Sequence, residues 1–111
     1  MLSSKHRLSK SADVKKTTAR GRSFFNPYFV IKLAPGADTP RFTVIVSTKV
    51  SKKAIDRNRI KRVIREIIRK HILRIKPGNY AVLVKSSAAK INSTELREAV
   101  SKSLIDSKIL A

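Results

Sequence analysis

The chain has 111 residues, the size of one domain with one core, and its 41% hydrophobic content excludes wholesale disorder. Against 26 Lys and Arg stand 7 Asp and Glu, a formal charge of +19, so a polyanion is the expected partner: nucleic acid first, an anionic membrane surface second. There is no cysteine, which removes disulfides, thiolate catalysis and Cys-based zinc sites.

Residues 1–10, MLSSKHRLSK, are basic and Ser-rich and read as a flexible lead-in. No signal-peptide core opens the chain, and no apolar run approaches the roughly 20 residues of a bilayer span; the expectation is a cytoplasmic protein. From Ser11 to Arg20 a short helix is predicted, with Ser11 as its cap, Asp13 in its first turn and Gly21 as its stop. Ser23 to Ala34 is rich in aromatic and β-branched residues and reads as one long strand, with an extra strand inside it as the alternative. Its alternation assigns Phe25, Phe29, Ile31 and Leu33 to one face, and Phe24, Asn26, Tyr28, Val30 and Lys32 to the other. Pro27, lacking an amide donor, suits an edge or an irregular strand start. After the breakers of Pro35 to Pro40, Arg41 to Ser47 alternates again, and the two strands read as an antiparallel hairpin.

The most informative stretch follows. On a 3.6-residue wheel Ile60, Val63, Ile64, Ile67, Ile68 and His71 share one side, while Asn58, Lys61, Arg62, Arg65 and Arg69 share the other. This predicts a helix from about Lys53 to about Leu73, docked by an apolar stripe and presenting cations outward. Glu66, four residues after Arg62, relieves only part of the repulsion. A solvated face would need about as many acids as bases, and Arg predominates where bidentate phosphate contact is wanted. Tyr80 to Lys85 is a short, nearly continuous apolar strand of the kind found inside a sheet. Ser86 to Ile91 reads as a loop, and Asn92 with Glu95 as a cap pair opening a last helix that runs to about Lys108. One α+β domain is the expected architecture.

Nothing in the chain resembles a catalytic constellation. His6 lies in the lead-in, His71 on the apolar side of the main helix, the acids are scattered, and three glycines make no phosphate loop. Phe24 and Tyr28 are either buried under the first helix or form a platform for unpaired bases, flanked by Lys32 and Arg41.

The run Arg57-Asn58-Arg59-Ile60-Lys61-Arg62, continuing Ile64-Arg65-Glu66, resembles the RNR signature of the bacterial ribonuclease P protein component family. Supporting matches are Arg7-Leu8, Gly21-Arg22-Ser23, Tyr28-Phe29-Val30, Val46-Ser47-Thr48-Lys49, Pro77-Gly78 and Glu95-Leu96, so the resemblance spans essentially the whole chain. It implies an α-β-β-β-α-β-α sandwich, ribosomal-protein-like, with the signature helix in a left-handed βαβ crossover. It implies a protein subunit that joins a catalytic RNA and the 5′ leader of precursor tRNA, as a monomer within the ribonucleoprotein, with Mg²⁺ held mainly by the RNA. By position, Arg57, Asn58, Arg59, Lys61, Arg62, Arg65 and Arg69, with Lys49, Lys52 and Lys53, would contact the RNA subunit. Asn58 serves equally to fix the helix start by bonding backbone.

The family holds the leader in a cleft between the first helix and the sheet. Here the chain departs from pattern: Val14 and Thr18 occupy two positions where aromatics are common, Lys32 a position where Tyr is, and Thr48 one where Lys is usual. The leader contacts then fall to Phe24, Tyr28, Lys32 and Arg41, with Val14 and Thr18 lining the cleft; either Phe24 and Tyr28 compensate for the missing aromatics or the leader is held more by charge. The family also binds metal ions near the leader; no ligands for them are identified in this chain. The alternatives are another basic α+β RNA-binding protein, such as a ribosomal protein, and a peripheral membrane protein that inserts its helix's apolar stripe.

Overall fold

The computed structural model describes residues 6–8 and 11–107. The helix α1 spans Ser11–Arg20, followed by the strands β1 (Arg22–Phe25), β2 (Phe29–Ala34) and β3 (Pro40–Ile45). The long helix α2 (Ala54–His71) ends in a 3₁₀ turn at Ile72–Arg74. The strand β4 (Gly78–Val84), a 3₁₀ turn over Ser86–Lys90 and the helix α3 (Ser93–Asp106) complete the fold. The Ser11 side chain and Lys108, expected as cap and helix end, lie outside the described residues.

The sheet order is β1-β2-β4-β3: β4 pairs antiparallel with β2 and parallel with β3. Two sequence expectations are corrected here. Ser23 to Ala34 is not one strand but a tight hairpin, which supplies the extra strand of the expected α-β-β-β-α-β-α order. Its Pro27-Tyr28 tip is closed by the Asn26 amide donating to the Phe29 carbonyl (3.0 Å), while the Asn26 Oδ1 accepts from the Tyr28 amide (2.9 Å). Nor do β2 and β3 form a hairpin, because β4 lies between them. The physical reason is visible in β4, where Tyr80, Ala81 and Val82 are all buried. A strand apolar on both faces gains most at the centre of a sheet, and it displaces the sequence-adjacent pairing.

One face of the sheet carries the core. Phe29, Ile31, Phe42, Val44, Tyr80 and Val82 meet Ile60, Val63, Ile64, Ile67 and Ile68 of α2 and Leu96, Val100 and Leu104 of α3. Ile and Val are mediocre helix formers, so α2 is held by packing, each buried side chain contributing about 1.5–3 kcal/mol. The Phe42 and Tyr80 rings stack at 4.5 Å, and the Tyr80 hydroxyl donates to the Lys76 carbonyl at 2.6 Å. The predicted α3 cap is present, the Asn92 side chain accepting from the Glu95 amide at 2.8 Å.

On the opposite face α1 crosses β2 and β4. It stops where Gly21 donates its amide to the Thr17 carbonyl; a Cβ on Gly21 would come within 2.4 Å of that oxygen, so the close approach requires glycine. Part of the lead-in expected to be flexible is docked: Arg7 forms a parallel bridge with Phe42, the Leu8 amide donates to the Phe42 carbonyl (2.8 Å), and Leu8 is buried. These residues cover the outer edge of β3.

Candidate nucleic-acid interface

The spacing that buries one side of α2 places the other in solvent. Asn58, Lys61, Arg62, Arg65, Glu66 and Arg69 surround an open depression of about 520 Å³. Glu66 is the lone acid there, and it is engaged elsewhere: its Oε1 lies 3.5 Å from Nε of Arg97 on α3, an ion pair too long for a hydrogen bond. The partner expected from spacing, Arg62, is exposed and has no ion pair among the described residues. A row of cations on a helix 18 residues long, with no matching acids, repels itself unless an anion meets it.

The signature residues divide into two groups. Arg57 donates Nη1 to the Ser51 carbonyl at 2.9 Å, and Arg59 donates Nη1 to Ser93 Oγ at 3.1 Å, tying α2 to the start of α3. Both are half-buried and in part structural. Asn58 is exposed, and no hydrogen bond of its side chain is found among the described residues. The helix start is fixed instead by Ser51, which accepts the Lys53 amide (3.2 Å) and donates to Asp56 Oδ2 (3.1 Å). The backbone-bonding role considered for Asn58 is therefore not seen among the described residues. Lys49, Lys52 and Lys53 are exposed in the connection from β3 to α2, beside the positive end of the helix dipole.

The second candidate surface, under α1, is only partly as expected. Val14 and Thr18 are half-buried on α1, and Arg41 is exposed on the same sheet face as Lys32. Lys32 donates Nζ to the Thr18 carbonyl at 2.7 Å, so it stabilises the C-terminal end of α1. Phe24 and Tyr28 are displaced. The hairpin register pairs Phe24 with Ile31, which puts Phe24 on the core face, and Tyr28 also packs against the core. Phe25, expected to face inward, pairs with Val30 and takes the α1 side, where it is 78% exposed. Two residues of turn at the tip exchange the faces of β1 relative to an unbroken strand. The available signal was the Asn26-Pro27 dipeptide, a turn initiator.

Among the described residues no group of three or more His, Asp or Glu side chains is placed to hold a metal ion, and no helix is long and apolar enough to cross a membrane.

Comparisons with known proteins agree. The Ribonuclease P family matches residues 2–107. A ribonuclease P protein component from Pseudanabaena is 34% identical over 99% of this chain and 97% of its own length. One from Xanthomonas campestris is 37% identical over 74% of this chain and 54% of its own length. Among solved structures, the RNase P protein of Staphylococcus aureus superposes with a TM-score of 0.89 at 27% identity, covering 96% of this chain and 98% of that one. That of Thermotoga maritima, in complex with a fluorophenyl thiourea, gives 0.78 at 29% identity, over 88% and 96% of the two chains.

Proposed function

The chain belongs to the ribonuclease P protein family, and from that premise we propose that it binds the catalytic RNA of ribonuclease P and the 5′ leader of precursor tRNA, supporting endonucleolytic maturation of the tRNA 5′ end. The observation that carries the reading is the outer face of α2, where Asn58, Lys61, Arg62, Arg65 and Arg69 stand around one depression with their nearest acid drawn away by Arg97. Guanidinium forks along a rigid helix suit the phosphates of a folded RNA, and the exposed Asn58 amide both donates and accepts. Arg57 and Arg59 also hold that face in register, through Ser51 and Ser93, and keep their remaining guanidinium donors for the RNA.

The chemistry belongs to the RNA in this reading. Mg²⁺ bound there supplies the hydrolytic step, and this chain's own residues bind, orient and offset phosphate repulsion. The α1 side of the sheet receives the single-stranded leader, with Arg41 at its edge. The test is cleavage of precursor tRNA by a bacterial ribonuclease P RNA at low Mg²⁺, with and without the protein, with mature tRNA as competitor. Stimulation with preference for the leader-bearing precursor is the expected result; tight RNA binding with no stimulation would sink the proposal.

A further inference from the structure

The register of the sheet aligns Phe25, Val30, Leu83 and Ile45 in one row across all four strands, on the face away from α2 and α3. The neighbouring row is closed: Ala81 is fully buried under α1, and Lys32 is bonded to the end of that helix. The Phe25 row is open, with Val30, Leu83 and Ile45 half-exposed and Phe25 largely in solvent. Three inter-strand steps of about 4.8 Å give it a length of roughly 14 Å.

Its chemistry is specific. Lys85 holds Nζ 6.0 Å from the Phe25 ring centroid, and the side chain is fixed there by donating to the Asn26 carbonyl at 3.0 Å. The Lys85 amide donates to the Tyr28 carbonyl (2.8 Å), and Ser87 Oγ donates to the Pro27 carbonyl (2.6 Å), so the hairpin tip presenting Phe25 is anchored. No strand of the sheet contains an Asp or Glu. The row therefore offers aromatic and apolar surface whose strands carry no carboxylate; the one acid in the hollow beside Phe25 is Asp106 of α3, which Lys102 accompanies. A second copy of a +19 chain is a poor occupant, whereas an unpaired base with its phosphate matches both features.

We infer that Phe25, backed by Lys85, is a base-stacking residue for single-stranded RNA. Its assignment to the precursor leader rests on the function proposed above. The occupied strand would run along the row toward Ile45, and the neighbouring loop carries the exposed Lys49, whose carbonyl accepts from Ser86 Oγ at 3.2 Å. One path would then join the leader to the cationic start of α2.

Two measurements separate the site from its use. The free full-length protein is titrated with a labelled eight-nucleotide oligoadenylate and with an abasic oligomer of equal charge. The expected result is at least fivefold tighter binding of the oligomer with bases, lost in Phe25→Ala and retained in Phe25→Trp, whose fluorescence is quenched on binding. Equal binding of both oligomers by the unsubstituted protein, or an unaffected Phe25→Ala, overturns the stacking role. In the reconstituted holoenzyme, Phe25→Ala should narrow the preference for precursor over mature tRNA five- to tenfold. Base-dependent binding that persists where the unsubstituted holoenzyme shows no precursor preference supports the stacking role and overturns the leader reading alone.

Discussion

The outer face of α2 and the open half of the sheet are both positive, yet they are built on different principles. The helix face is charge alone: Lys61, Arg62, Arg65 and Arg69 project from one rigid element, with no aromatic among the residues lining their depression. The sheet face is apolar with cations at its margin, Phe25 under Lys85 at one end of a row contributed by four strands. A charged face binds any phosphate backbone and weakens with salt, whereas a stacking row distinguishes bases from their absence. In the proposed reading, one chain of 111 residues thus offers one surface to a folded RNA and another to an unfolded one.

The largest expected effect comes from removing what both surfaces share. Ile64 is buried where α2 meets the sheet, and Ile64→Ala should lower stability by about 2–5 kcal/mol, measured by urea unfolding. Both binding activities should then fall together in proportion to the unfolded fraction. Next comes pH. Burial pushes the Tyr80 hydroxyl up to about 12 from its ordinary 10. Above pH 10 the unfolded chain releases this proton while the folded chain keeps it, so the contribution is complete below pH 10 and is lost as pH rises toward 12. The loss is about 2–3 kcal/mol at 1.36 kcal/mol per unit. Tyr80→Phe should unfold with a shallower dependence between pH 10 and 12; identical slopes would contradict the assignment. The smallest effect sharpens the contrast most. Arg65→Ala should weaken binding to the ribonuclease P RNA by about 1–2 kcal/mol and reduce the salt slope by about one, while leaving the base-versus-abasic discrimination of the free protein intact.

The same contrast explains what was readable in the chain. The α2 face needed only the local 3.6-residue period, and each of its five apolar residues from Ile60 to Ile68 is buried as spaced. Asn92 as a cap and β4 as an interior strand were equally local. The sheet face depends on which strands pair and where a turn falls. A two-residue tip at Pro27-Tyr28 reversed Phe24 and Phe25, and the insertion of β4 undid the expected hairpin of β2 with β3. Arg59 shows a further limit: its period is that of a contact residue, but its bond to Ser93 depends on where α3 begins. The family assignment decides against the ribosomal-protein alternative, which charge and fold class alone left standing.

The place of β4 between β2 and β3 has a consequence for synthesis. Ribosomes deliver the chain from its N-terminus, so β2, β3 and the whole of α2 are complete before residues 78–84 exist to pair with either strand. Until then the apolar stripe of α2 has no finished sheet to cover, and its cations emerge beside a large RNA machine. The last third of the chain is therefore what closes the fold. A nascent protein stalled before Gly78 would carry the whole cationic face of α2 on an unassembled scaffold.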